Sequence, residues 1–178
     1  MWDTVNDILE MLPVMNINAL SFLLILLFFI TGCDSPHPSD DALRRNFEKH
    51  EAEFDRLVQM CQEDSEMVRI ADNFTWTKQS AAWPRPESDL GFSRDRWDEY
   101  RTLFRKVGLD NGLVSNQPDL VVLFASHRGI VPAGSSKGYA YYLKTPITLV
   151  DSLDADKPSN GKAFMRLKGN WYLYLEAN

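Results

Sequence analysis

From residue 40 to residue 61 the apolar positions Leu43, Phe47, Phe54, Leu57, Val58 and Cys61 recur at three- and four-residue spacing, with His50 beside them. Arg45, Glu48, Lys49, Glu53 and Arg56 fill the opposite side. This is the stripe of one amphipathic helix, and Asp40 or Asp41 is placed to cap its free N–H groups. Cys61, on the apolar side, reads as a small buried hydrophobe. A second stripe, Trp97, Tyr100, Phe104 and Val107 with Leu103 beside them, starts behind the capping residue Ser93. Arg101, Arg105 and Lys106 crowd its carboxyl end, where the helix dipole favours cations. Gly108 then supplies a left-handed stop and Leu109 the apolar contact that follows it.

The rest of the pattern is that of strands. Val68, Ile70, Phe74 and Trp76 alternate, with Asp72 as the exception, and predict a strand over 67–76. Residues 77–92 hold Pro84, Pro86 and Gly91 and read as a loop pinned by Trp83 and Phe92. The continuous run Leu120-Val121-Val122-Leu123-Phe124 suits a central strand over 119–126. His127-Arg128-Gly129 follows as a bulge or turn. Residues 132–137 read as a loop, 139–143 and 147–150 as strands, and 152–161 as a polar loop. Gly169-Asn170 joins 163–168 to 171–176 in the strongest hairpin signal of the chain, a primed turn that requires positive φ. Short links between successive strands imply an antiparallel meander. The expected fold is α+β: two amphipathic helices packed on an antiparallel sheet of about five strands.

Ahead of this pattern lies Phe22-Leu23-Leu24-Ile25-Leu26-Leu27-Phe28-Phe29-Ile30, which with Ala19 and Leu20 makes an apolar core of about a dozen residues. A spanning helix wants roughly 20 apolar residues and a signal-peptide core roughly 7–15, so the length favours a targeting segment. The core ends in Ile30-Thr31-Gly32-Cys33, which resembles the lipobox of bacterial membrane lipoproteins. The resemblance covers about residues 15–35 and implies cleavage between Gly32 and Cys33, with a diacylglycerol on the Cys33 sulfur. Small residues before the cysteine, here Thr31 and Gly32, let the peptidase reach the backbone. In enteric-type members an Asp after the cysteine, here Asp34, retains the protein in the inner membrane, facing the periplasm. A signal peptide should open with positive charge, whereas Asp3, Asp7 and Glu10 precede this core. Met15 offers a second start, so residues 1–14 are expected to be an upstream extension. The expected organisation is therefore 1–32 signal peptide, 33–41 lipidated cysteine and solvated tether, and 42–178 globular domain. His37 falls within that tether.

Composition changes the picture only by exclusion. A chain with 12% aromatic residues is not disordered, and a net charge of −6 gives no support to nucleic-acid binding. Cleavage at Cys33 removes Asp3, Asp7 and Glu10 and leaves about −3. With Cys33 acylated, Cys61 has no intramolecular disulfide partner. No cofactor is implied. His37, His50 and His127 lack the spacing of metal ligands, and Glu63, Asp64 and Glu66 read as a solvated cluster at a helix end. The segment Ala133-Gly134-Ser135-Ser136-Lys137-Gly138-Tyr139 is the most distinctive. Its small residues expose backbone N–H groups and Lys137 adds charge, a combination that suits an anion, although the P-loop spacing is absent. It resembles the Ser-Gly-x-Lys-Tyr-type loop of periplasmic lysozyme inhibitors. That resemblance would make Ser135, Ser136 and Lys137 the residues that enter a lysozyme cleft, but the family is a disulfide-bearing barrel and this chain has two helical stripes. Tyr139, Tyr141, Tyr142, Trp171, Tyr172 and Tyr174 would form a binding platform if Tyr139 and Tyr141 shared an exposed face with Tyr172 and Tyr174. The leading expectation is a lipid-anchored, non-enzymatic envelope module that binds an envelope protein or the cell wall. The alternatives are a periplasmic hydrolase pairing His127 with a residue of 133–138, and an inhibitor of a cell-wall hydrolase.

Overall fold

The computed structural model describes residues 37–79, 91–129, 134–156, 158 and 161–177. Gly32, Cys33 and the loop tip at Ala133 lie outside the described residues. Chain contacts divide the protein into Met1–Ser35 and Pro36–Asn178, and the second unit is described here.

It contains α1 (Asp40–Lys49), α2 (Glu51–Glu63), α3 (Arg94–Val107) and seven strands: β1 (Met67–Ile70), β2 (Thr75–Thr77), β3 (Leu113–Gln117), β4 (Leu120–Arg128), β5 (Ser135–Tyr142), β6 (Gly161–Lys168) and β7 (Trp171–Ala177). The fold is α+β with an antiparallel sheet, as expected, but the sheet has seven strands rather than five, in the order β2-β1-β3-β4-β5-β7-β6. The meander holds only from β3 to β5: β1 lies between β2 and β3 at one side of the sheet, and β7 inserts between β5 and β6 at the other.

The single helix expected over 40–61 is broken at His50, which has φ −125° and ψ 25°. Its N–H closes α1 on Asn46 and Phe47, and its carbonyl opens α2 by accepting from Glu53 and Phe54. The stripe survives the break, because Phe47 and Phe54 still meet with ring centroids 5.4 Å apart. The strand expected over 67–76 is a hairpin. Asp72, the exception to its alternation, sits in the turn, where Ala71 N–H donates to Phe74 O. The third helix agrees with the sequence reading. Ser93 Oγ accepts from Arg96 N–H, and Gly108 ends the helix at φ 68° with Leu109 N–H reaching Phe104 O. Residues 147–150 contribute an isolated parallel bridge, Leu149 to Phe164, in place of a strand.

Two apolar clusters use alternate positions of the sheet. One joins the helix stripes to Leu113, Val121, Leu123, Tyr139, Trp171 and Leu173. The other gathers Leu120, Val122, Ala140, Phe164, Tyr172 and Tyr174. The expected tyrosine platform is therefore divided. Tyr139 packs on the helix side against Phe47 and Phe54 and Tyr141 against Trp171, whereas Tyr172 and Tyr174 belong to the opposite face.

One irregularity positions the site. Phe124 pairs with Gly138 and Ser126 pairs with Lys137, so Ala125 is an extra residue in β4. Side chains alternate strictly in a regular strand, and one inserted residue reverses the alternation beyond it. Ser126 is thereby turned from the face of Phe124 to the face of Lys137. Gly138 is required opposite the bulge, because a Cβ there would lie 2.1 Å from Leu123 O.

Gly138→Ala is expected to destabilise the domain by at least about 1–3 kcal/mol through this clash. Gly108→Ala, with nothing within 4 Å of its Cβ, costs only the left-handed backbone strain of about 1–2 kcal/mol. Urea denaturation of both variants checks the ranking, and a Gly138→Ala protein as stable as wild type would contradict it.

Candidate functional site

Ser135, Ser136 and Lys137 lie in strand β5 rather than in a loop, and Ser136, Lys137 and the following Tyr139 are buried. Lys137 is 1% exposed, Ser136 4% and Tyr139 0%. The reason is a polar cluster built by three segments far apart in the sequence, around residues 40, 137 and 154.

Lys137 points to the helix side of the sheet. Its Nζ lies 2.7 Å from Asp40 Oδ1 and 2.6 Å from Asp154 Oδ1. Asp40 is the first residue of α1, where the helix dipole favours a carboxylate. Its second oxygen, Oδ2, accepts from Ser152 Oγ at 2.9 Å and from the backbone N–H groups of Leu153 and Asp154 at 2.8 and 3.1 Å. Asp154 answers by accepting from Asp40 N–H at 2.9 Å. One ammonium and two carboxylates thus join α1, β5 and the 152–154 turn. A buried charge is tolerated only when paired in this way.

The expected cap residues, Asp40 and Asp41, do not cap the helix. Ser39 does, its Oγ accepting from Ala42 N–H at 3.2 Å. The Asp40 carboxylate is committed to Lys137 and the turn.

Three residues before Asp40, His37 lies on the same end of the sheet and is not part of a solvated tether. Its Nδ1 is 2.6 Å from Ser126 Oγ and its Nε2 2.8 Å from Ser135 Oγ. A neutral imidazole accepts at one nitrogen and donates at the other, so two hydroxyls occupy both. Ser126 reaches this ring only because the bulge at Ala125 turns it to the helix side. His37 and Asp40 together fasten the start of the described chain across β4 and β5.

Burial alone pushes the Asp40 carboxyl upward. The hydrogen bonds from Lys137, Asp154 N–H and Ser152, and the charge of Lys137, outweigh that effect, so Asp40 titrates below its ordinary value of 3.8. Burial raises the Cys61 thiol to about 11, which makes it an inert core residue. Burial likewise lifts the Tyr139 phenol to about 12, and the hydrogen bond with Asn46 opposes the rise. Asn46 donates to both Tyr139 Oη and Val107 O, at 2.9 Å each.

The remaining candidates are dispersed. His127 is exposed, its ring near Gly134 rather than against a serine hydroxyl. Glu63 and Asp64, expected to be solvated, hold Arg96 at 2.6 and 2.8 Å and so tie α2 to α3. Glu66 pairs with Lys78. Among the described residues no group of three His, Cys, Asp or Glu side chains could hold a metal ion. Comparison of the chain with protein-family models, with curated proteins and with solved structures finds no match.

Lys137→Met leaves two carboxylates facing each other without a cation and is expected to cost about 3–5 kcal/mol. Asp40→Asn combined with Lys137→Met is expected to cost less than the sum of the single changes, because the buried Asp40 carboxylate is then gone with its cation and only the half-exposed Asp154 carboxylate loses a partner. The pH dependence follows from the sign of the Asp40 shift. A depressed carboxyl contributes stability above its unfolded value and loses it as pH falls through the folded one. Wild-type protein should therefore lose stability on acidification more steeply than Asp40→Asn. Denaturation midpoints between neutral pH and pH 3 test both statements; additive single effects or parallel pH profiles would contradict them.

Proposed function

We propose that this chain is a lipid-anchored cell-envelope protein whose folded unit is a binding module without catalytic chemistry of its own. The observation that carries the reading is the apolar core ending in Ile30-Thr31-Gly32-Cys33. Acylation of the Cys33 sulfur anchors the protein by hydrocarbon: each buried CH₂ contributes about 0.8 kcal/mol, and two or more chains are needed for a stable anchor. Asp34 directs it to the inner membrane, where the module faces the periplasm. Among the described residues no helix is long and apolar enough to cross a membrane, and the apolar core itself lies outside them.

The position of the latch, the His37 and Asp40 contacts that fasten the chain to β4 and β5, adds to this reading. His37 follows Cys33 by four residues, a reach of at most about 14 Å at ~3.5 Å per residue. An acylated Cys33 would hold the His37 end of β4 and β5 close to the lipid headgroups, on a leash too short for the unit to sweep freely. The binding-module reading is supported by the commitment of Lys137 to two carboxylates and of both His37 ring nitrogens to hydroxyls. These groups are consumed in holding the fold together.

Cys33→Ser is expected to abolish cleavage and move the protein out of the detergent phase in a Triton X-114 partition. Intact-mass measurement of the wild type should show a chain beginning at Cys33 and carrying acyl groups. Unchanged processing and partitioning in the Ser variant would overturn the proposal.

A further inference from the structure

Opposite the latch, at the other end of β4 and β5, lies a groove of about 320 Å³. It sits at the lower end of the size range of small-ligand sites. Seven residue steps along β5 separate Ser135 from Tyr142, which places the groove roughly 20 Å from the latch. It opens where β1 and β3 part. Their pairing stops at Arg69 with Val114 and leaves the rest of β3, Ser115–Gln117, beyond its neighbour. The carboxyl end of α2 closes one side and the β3–β4 turn the other.

We infer that this groove binds a neutral saccharide. Three carboxamides, Gln62, Asn116 and Gln117, line it with the hydroxyl of Ser65, and none of these four side chains has a hydrogen-bond partner among the described residues. Each carboxamide presents a donor and an acceptor side by side. Sugar hydroxyls have the same dual character. Tyr141 and the half-exposed Leu143 provide apolar surface in the same groove, which suits the C–H face of a pyranose ring. The charges at the rim are already neutralised, Lys78 by Glu66 at 3.3 Å and Asp119 by Lys144 at 2.6 Å. An anion or cation would find no free counter-charge among these lining residues. The β1-facing edge of Ser115–Gln117 leaves a backbone row of only three residues for an added peptide strand, at the short limit of strand lengths.

The inference deepens the binding-module reading by naming its ligand class, and it is independent of whether Cys33 is acylated. The test uses the full chain in detergent micelles. N-acetylchitotetraose, a neutral oligosaccharide, is titrated calorimetrically, with a neutral tetrapeptide of alanine and glycine in parallel. Saturable binding of the saccharide is expected. Asn116→Ala combined with Gln117→Ala should weaken it at least about tenfold, since two hydrogen-bonding groups are removed. Both positions are exposed, so the fold should be retained, which near-ultraviolet circular dichroism verifies. Glu48→Ala, on a different surface, should bind as wild type. No saccharide binding at millimolar concentration, binding unchanged in the double variant, or tighter binding of the tetrapeptide would each overturn the inference. A Cys33→Ser protein that leaves the membrane yet still binds the saccharide would separate the anchor reading from this one.

Discussion

The fold of this unit turns on one buried ammonium group. Lys137 sits within a seven-stranded sheet, almost without solvent, and among the described residues is compensated by Asp40 and Asp154 alone. Removing a charge from water costs several kcal/mol, and that cost is recovered only when geometry and further hydrogen bonds are both in place. Here the further bonds come from the backbone of the 152–154 turn and from Ser152. Position 137 therefore constrains three segments at once: the strand that carries it, the first turn of α1, and a loop 17 residues further along. A hydrophobic residue at 137 would leave the two acids facing each other, so the sequence of the turn and of the helix start depends on this side chain.

The same cluster explains where sequence reasoning succeeded and failed. The third helix was legible to the residue because its signals are local: Ser93 at the cap, an apolar stripe, cations at the carboxyl end and Gly108 beyond it. The hairpin around Gly169 was legible for the same reason, and Gly169 has the required positive φ of 56°. Strand β3, Leu-Val-Ser-Asn-Gln, was not. Only its first half is apolar, and its pairing with β1 and β4 is set by partners far along the chain. The Ser135–Lys137 segment resembled a loop because two serines and a lysine between glycines are weak strand formers. What makes it a strand is pairing on both sides, with β4 and β7. Its charge suggested exposure, since a lysine is almost never buried unless paired, and neither partner aspartate is near it in sequence. His37 was read as tether for the same reason. Prolines and acids surround it, and its two hydroxyl partners lie 89 and 98 residues away.

The bulge at Ala125 connects these long-range features to the site. It is invisible as a hydrophobic pattern, because Phe124-Ala125-Ser126 continues an apolar run into a polar residue without interruption. Its effect is to bring Ser126 to the same side as Ser135 and Lys137. There Ser126 and Ser135 bind His37, and Lys137 binds Asp40. The result is a sheet with two unlike ends. One end is fastened to the start of the described residues, which begin four positions after Cys33 in the sequence. The other carries an open groove whose charged side chains, Lys78 and Asp119, are paired and whose carboxamides make no hydrogen bond among the described residues. In the proposed setting, the fastened end is held near the bilayer and the groove is turned away from it.

The most direct test of the central claim, that the chain from His37 onward is locked to the sheet through Lys137, is native-state hydrogen exchange of individual amides. If the claim holds, the amides of Leu43 and Phe47 in α1 exchange with the same opening free energy as that of Tyr139 in β5, as one cooperative unit. Exchange of the α1 amides through a local opening, orders of magnitude faster than Tyr139, would show that the helix frays independently and that the buried cluster does not hold it.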